Sequence, residues 1–233
     1  MKAVLLAAGL GTRLRPLTDH VPKCLVPVRG KALLDIWLDS FTSAGVDEVL
    51  INLHHFPDLV RGHLASRHGG PRVVTAYEPT LLGSAGTLRA QRDWLAGEEM
   101  FLVVNGDNLT DFDLRDLVDA HRSGGAVATL SVFRTPRPRE CGIVEVVDGW
   151  VTGFQEKPQE PRGDLANAGL YAFVPDVIDR VRPGVPRDIG FDLLPGLVGE
   201  ARAVDIGDAY FLDVGTPEAL VRATREWGAV ELG

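Results

Sequence analysis

Along the first half of the chain, short continuous apolar runs alternate with stretches whose apolar positions recur at helical spacing. Residues 3–7, 49–53, 73–77 and 101–105 each read as a strand buried on both faces. Between the first two, Leu33, Leu34, Trp37, Leu38 and Phe41 repeat with a helical period, while Asp35 and Asp39 fall on the other side. Pro57 opens a second helical segment through Leu59, Val60, His63 and Leu64, since proline is tolerated in a first turn. Ser84 reads as the N-cap of a third. Strand–helix alternation of this kind predicts an α/β, doubly wound sheet, whose ligands bind beyond the carboxyl ends of the strands.

After Gly125 the pattern changes. Residues 126–133 read as a strand, and 143–147 with 151–155 as the arms of a hairpin turned at Asp148-Gly149. Residues 134–139, with their prolines and arginines, read as a solvated loop. Thr216, followed by Pro217 and Glu218, announces the last helix. Neither an internal repeat nor a low-complexity tract interrupts the chain. One domain over 1–233 is expected, with a first half over about 1–125 and a substrate-covering lobe of α+β character over about 126–233.

Composition narrows the functional classes. With 233 residues, 45% of them apolar, the chain can bury a sizeable core. A net charge of −8 leaves no general basic face for nucleic acid. Cys24 and Cys141 are too few for a disulfide framework and lack metal-ligand spacing, which fits a reduced, cytoplasmic protein. The apolar N-terminus runs into glycines without a leader's cleavage pattern, and no stretch reaches membrane-spanning length, so no membrane association is expected.

The first predicted strand runs into Ala8-Gly9-Leu10-Gly11-Thr12-Arg13-Leu14, with Pro22-Lys23 shortly after. Glycines there let the backbone approach a phosphate with its N–H groups turned inward, and Arg13 and Lys23 add full positive charge. The dinucleotide fingerprint is excluded, because Leu14 stands at its third glycine and the basic Val28-Arg29-Gly30-Lys31 lies where its acidic ribose reader belongs. No Walker loop occurs. Asp107 follows the strand 101–105 at the mouth of the same region, where a carboxylate calls for a cation. Mg²⁺ suits it, taking oxygen ligands from a few carboxylates and from substrate phosphates. His54-His55 reads as a strand end and polar loop rather than a metal pair, and no Gly-x-Ser-x-Gly elbow offers a covalent nucleophile.

The run from Gly9 to Lys23 resembles the signature of the sugar-1-phosphate nucleotidyltransferases. The resemblance continues through Leu82-Gly83-Ser84-Ala85-Gly86-Thr87, Asn105-Gly106-Asp107, Glu156-Lys157-Pro158, Asn167-Ala168-Gly169-Leu170-Tyr171 and Leu212-Asp213-Val214-Gly215-Thr216. It implies the Rossmann-like, doubly wound mixed sheet of the nucleotide-diphospho-sugar transferases, with a small α+β sugar-binding lobe. It also implies Mg²⁺-dependent transfer from a nucleoside triphosphate to a sugar 1-phosphate, with in-line attack and release of pyrophosphate. By position, Ala7, Ala8, Gly9, Gly11, Thr12 and Arg13 would embrace the triphosphate, and Glu78, Gly83, Gly86, Asn105 and Gly106 would complete the nucleotide site. Arg13, Lys23, Asp107 and Lys157 would be the catalytic set, with Mg²⁺ on Asp107 and Asp213. Gly142, Glu156, Lys157, Asn167 and Gly169 would hold the sugar phosphate.

Cys24 stands where the family usually has proline. The Leu-Leu-Gly-Ser-Ala-Gly form of residues 81–86 resembles the guanylyl-transferring branch, including mannose and heptose enzymes, which favours GTP. Residues 102–107 also resemble the muramic-acid uridylyltransferases, so UTP stays open, as does the acceptor: mannose, heptose or a cyclitol phosphate. A homodimer is compatible with the family, and a regulatory subunit that binds nucleotide sugars without turnover is the rival of a different class. Because Gly233 follows closely on the helix after Asp213, only the transferase unit is expected.

Overall fold

The computed structural model describes residues 1–228. The strands are β1 (Lys2–Leu6), β2 (Pro27–Val28), β3 (Lys31–Ala32), β4 (Glu48–Leu53), β5 (Arg72–Tyr77), β6 (Phe101–Asn105), β7 (Asn108–Thr110), β8 (Ala128–Arg134), β9 (Gly142–Val147), β10 (Trp150–Glu156), β11 (Leu165–Phe173), β12 (Ala201–Asp205) and β13 (Phe211–Asp213). The α-helices are α1 (Leu33–Ser43), α2 (Pro57–Ala65), α3 (Ser84–Ala90), α4 (Arg92–Leu95), α5 (Leu114–Gly124) and α6 (Pro217–Glu226). Among the described residues, no helix is long and apolar enough to cross a membrane.

One mixed sheet carries strands from both halves of the chain, in the order β5-β4-β1-β6-β11-β8-β12-β10-β9. β5, β4, β1 and β6 are parallel, and the continuous apolar runs of β4, β1 and β6 are buried on both faces. β5, predicted from its sequence to be so too, is the edge strand and only half-buried, with Tyr77 exposed. β11 enters antiparallel to β6, and β8 antiparallel to β11. Successive strand residues point to opposite faces. Ala3, Leu5, Val49, Ile51, Leu102 and Val104 therefore pack with Trp37 and Phe41 of α1 and Leu117 of α5. Their neighbours Val4, Leu50, Phe101 and Val103 pack with Leu88 of α3, Leu95 of α4 and Tyr171 and Phe173 of β11.

Local signals mostly act where the sequence placed them. Asp148 and Gly149 both take positive φ, 51° and 79°, which matches the twist of a two-residue hairpin between β9 and β10. Thr216 caps α6 by accepting from the Ala219 amide at 3.2 Å. Ser84 departs from expectation: Gly83 occupies the cap position and Ser84 is the first helical residue. Its hydroxyl donates to Asp188, 104 positions away, so a tertiary partner takes the group that a local cap would have used. β11, β12 and the β7–β13 ribbon were not anticipated as strands.

The strand order reverses between β1 and β6, leaving Leu6 and Asn105 side by side at the carboxyl edge. A reversal of this kind opens a crevice. Gly106 closes its floor by donating to the Leu6 carbonyl at 3.0 Å, an approach that a Cβ would obstruct. β7 then pairs with β13, and the Val214 amide donates to the Asp107 carbonyl at 2.9 Å, which sets Asp213 beside Asp107. Trp37, buried in α1, anchors this ribbon by donating from Nε1 to the Asn108 carbonyl at 2.9 Å. Trp37→Phe keeps an aromatic ring but removes that donor together with part of the buried indole's volume. It is expected to lower the unfolding free energy by about 1–3 kcal/mol, read as a lower urea midpoint at unchanged slope.

Candidate active site

The segment that follows β1 is held from below by a buried polar network. Asn52, the polar residue in the apolar run of β4, accepts from the Ala7 and Ala8 amides at 2.7 and 3.2 Å. Its Nδ2 donates to Glu78 at 3.0 Å and to Thr87 at 3.1 Å. Glu78 also accepts from the Thr87 hydroxyl at 2.5 Å and from the Leu82 amide at 3.1 Å. Buried polar groups must find partners, and these find one another. The Ala7 and Ala8 amides are thus already engaged, and Glu78 braces the loop through residue 82. Asn52 was not singled out from the sequence; a polar side chain within a buried strand was the available signal.

Gly11 takes φ 63°, and a Cβ there would come within 2.9 Å of the Thr18 methyl. Its carbonyl accepts from the Thr18 hydroxyl at 2.7 Å and the Leu14 amide at 2.9 Å, which curls the loop. Thr12 is exposed at the start of the next turn. Arg13 reaches across to Asp213, 3.3 Å away. At the centre lies Lys23, its side chain only 10% exposed, with Nζ 3.0 Å from Asp107 Oδ2 and 3.6 Å from Asp213 Oδ1. A nearly buried ammonium requires such partners. The carboxylates themselves remain about half exposed, at 44% and 48%.

Two hollows meet at this cluster. The first, about 360 Å³, is lined by Ala7, Ala8, Gly9, Glu78, Gly83, Asn105, Gly106 and Lys23, together with Asn52, Leu81 and Asp188. The second, about 860 Å³, is lined by Arg13, Gly142, Glu156, Lys157, Asn167, Gly169 and Asp213. Asn105 and Asp107 line both. Three expected nucleotide contacts line neither hollow. Gly11 and Thr12 stand outside, because the loop curls onto Thr18. Gly86 is buried in α3, with its amide donating to the Arg187 carbonyl at 3.1 Å. Gly83 lines the first hollow, but its missing Cβ makes room for the Arg187 carbonyl. The glycines of this loop thus admit the chain's own backbone.

In the second hollow, Glu156 sits behind Gly142 and Gly190, where a Cβ on either glycine would collide with its carboxylate. Burial pushes the Glu156 carboxyl above the usual carboxylate range; Lys157 opposes the shift and the Asp188 charge adds to it. Lys157 Nζ lies 3.9 Å from Glu156. Lys157 also has φ 45° immediately before Pro158, a conformation that costs about 1–3 kcal/mol for a non-glycine residue. Its amide donates to the Cys141 carbonyl at 3.0 Å, fixing the turn. Asn167 donates to the Tyr171 hydroxyl at 2.7 Å and accepts from the Gly169 amide at 3.1 Å. Gly169, at φ 75°, leaves no room for a Cβ beside Asn105 and marks a bulge in β11.

No group of three or more His, Cys, Asp or Glu side chains gathers around a common point among the described residues. Asp107 and Asp213 are the pair at hand. Both approach the same ammonium, so one cation between them would meet oxygens from each. Two carboxylates suffice for Mg²⁺ when substrate phosphates complete its shell, and the donor set fits on that condition.

The profile of the nucleotidyl transferase family matches residues 2–229. The chain belongs to that family. It is 34% identical over 223 residues to the mannose-1-phosphate guanylyltransferase catalytic subunit beta of Dictyostelium discoideum, covering 94% of this chain and 62% of that protein. It is 34% identical over 214 residues to the UTP–glucose-1-phosphate uridylyltransferase of Synechocystis, covering 85% of this chain and 55% of that one. The chain therefore spans less than two thirds of the length of these relatives. Among solved structures, HddC from Yersinia pseudotuberculosis superposes with a TM-score of 0.79 at 26% identity, covering 96% of this chain and 98% of its own. A glucose-1-phosphate thymidylyltransferase structure from Bacillus anthracis, at TM-score 0.83 and 22% identity, shares the fold. The doubly wound mixed sheet and the family resemblance both stand.

The raised Glu156 carboxyl has a pH signature. A folded-state pKa above the unfolded value contributes stability that is fully present below the ordinary glutamate range and is lost as pH rises through the folded pKa. Glu156→Gln stays neutral throughout. Its melting temperature relative to the unsubstituted protein should therefore rise as pH goes from about 4 to about 7, measured by calorimetry across that series.

Proposed function

We propose that the protein transfers a nucleotidyl group from a nucleoside triphosphate to a sugar 1-phosphate, giving a nucleotide sugar and pyrophosphate. The observation that carries this reading is the meeting of two hollows, one beneath the glycine loop and one beneath Lys157, at a single cluster of Lys23, Arg13, Asp107 and Asp213. A transfer between two bound substrates needs that geometry. GTP is the favoured donor, supported by the mannose-1-phosphate guanylyltransferases among the relatives and by the HddC structure complexed with GMP-PN. Two free thiols suit a reducing, cytoplasmic setting.

In this reading the nucleotide occupies the first hollow and the sugar phosphate the second. Asp107 and Asp213 would hold Mg²⁺, which supplies neutralisation of phosphate charge when bound. Lys157 orients the sugar phosphate so that its oxygen attacks the α-phosphorus in line, and Glu156 accepts hydrogen bonds from sugar hydroxyls. As the new P–O bond forms, the α–β anhydride bond breaks and its electron pair leaves with pyrophosphate. Arg13, which lines the second hollow and reaches Asp213 at the junction, would stabilise that departing charge, and Lys23, confined between the carboxylates, would keep a fixed positive charge beside the reacting phosphates. No protein nucleophile is required; positioning and electrostatics supply the acceleration.

Pyrophosphate release with GTP or UTP and mannose, heptose or glucose 1-phosphate tests the reading directly. Asp107→Asn and Asp213→Asn should each lower kcat by about a hundredfold or more, the scale for loss of a preorganised charge-stabilising group. Chelation by EDTA should abolish release, and excess Mg²⁺ should restore it. Nucleotide-sugar binding without release from any pair would instead support a regulatory binder.

A further inference from the structure

The two hollows share more than the charge cluster. The segment 187–190 forms a wall between the loop that borders the first hollow and the carboxylate that borders the second. On the nucleotide side it is laced to residues 82–86: the Arg187 amide donates to the Leu82 carbonyl at 2.8 Å, and the Arg187 carbonyl accepts from Ala85 at 3.0 Å and Gly86 at 3.1 Å. Ser84 completes the seam in both directions. Its hydroxyl donates to Asp188 Oδ2 at 2.9 Å, and its oxygen accepts from the Ile189 amide at 2.8 Å.

Asp188 also shapes the other side of this wall. Its Oδ1 accepts from the Gly190 amide at 2.8 Å and the Phe191 amide at 3.2 Å, which fixes the turn. Gly190 in turn abuts the Glu156 carboxylate so closely that a Cβ would overlap it. One carboxylate thus grips the nucleotide-side loop through one oxygen and sets the backbone against Glu156 through the other. The strap has little slack of its own: the Asp188 amide donates to Asp192 at 2.7 Å, and Asp192 accepts from Arg187 at 3.0 Å. A displacement of Ser84 would therefore bear on Gly190 through these bonds.

We propose that Asp188 is a positioning residue through which occupancy of the nucleotide hollow sets Glu156 for the sugar phosphate, so that the two substrates bind with positive coupling that depends on the Ser84–Asp188 contact. This rests on the transferase reading of the two hollows. Neither residue was singled out for this role by its local sequence. The contact joins α3 to a segment more than a hundred residues later, and its meaning lies in what stands behind each partner.

Coupling is measured without turnover. Mannose 1-phosphate is titrated calorimetrically into the protein, with Mg²⁺, in the presence and absence of α,β-methylene-GTP, whose α–β link cannot be broken by transfer. Glucose 1-phosphate with α,β-methylene-UTP is the second pair. The expected result is a sugar-phosphate affinity about five- to a hundredfold higher with the nucleotide analogue bound. In Ser84→Ala and in Asp188→Asn the ratio should fall to within about twofold of unity, whatever either substitution does to each ligand alone. The double variant should fall no further, and Ser84→Thr, which keeps the hydroxyl, should retain coupling. A merely structural role would weaken binding without moving this ratio. Binding of both ligands with no coupling in the unsubstituted protein, or coupling unchanged in the variants, overturns the inference and leaves the transferase reading intact. Heptose 1-phosphate with α,β-methylene-GTP is the third pair, and failure of both nucleotide analogues and of every sugar phosphate to bind overturns the assignment of the hollows and this inference together.

Discussion

The ammonium of Lys23 lies almost out of water between the carboxylates of Asp107 and Asp213, and the site is organised around keeping it there. A desolvated charge is tolerated only where opposite charges stand close, so the three groups must converge although they lie far apart in the chain. The fold arranges this with short, inexpensive devices. The carboxyl ends of β1 and β6 meet at the point of strand reversal, a glycine closes the gap between them, and a two-stranded ribbon lays Asp213 against Asp107. Because the carboxylates stay half exposed while the ammonium does not, the cluster presents oxygens to both hollows and keeps its positive charge inside.

A second, neutral constraint supports the first. Asn52 is almost fully buried at the floor of the first hollow, so its amide is shared among the backbone after β1, Glu78 and Thr87. That network ties the start of the glycine loop to the start of the loop around residue 82. The two sides of the first hollow therefore cannot drift apart without leaving buried donors and acceptors unpaired, a cost of about 1–3 kcal/mol for each. The hollow is preformed, which suits the proposed transfer, whose catalysis would be mostly placement.

The second hollow is held differently. Glycines at 142, 169 and 190 let neighbouring strands and loops press against Glu156 and Asn105, where any side chain would collide. Lys157 is kept in a left-handed conformation by the hydrogen bond from its amide to the Cys141 carbonyl, against the extended preference of a residue that precedes proline. Such strain persists only where the surroundings over-determine it, and it gathers around functional groups. Close packing by glycine and one strained lysine thus define the wall of the second hollow.

What the sequence determined by itself was whatever depends on neighbours along the chain. The alternating runs foretold the parallel core, Asp148-Gly149 its hairpin, Thr216-Pro217 the last helix, and the contiguous blocks around Gly9 and Asn105 the region where the two hollows meet. These follow from periodicity, turn chemistry and caps, which act over a few residues. The pairing of Asp107 with Asp213 came only from family resemblance, since nothing local to either says that the other is near. Asn52, Asp188 and the strand character of β11 escaped notice. The glycines at 83 and 86 acquired a different use once the Arg187 backbone was seen against them. Those features belong to tertiary structure alone, because a buried donor or an absent Cβ has meaning only with respect to the atom that arrives beside it, and that atom comes from another part of the chain.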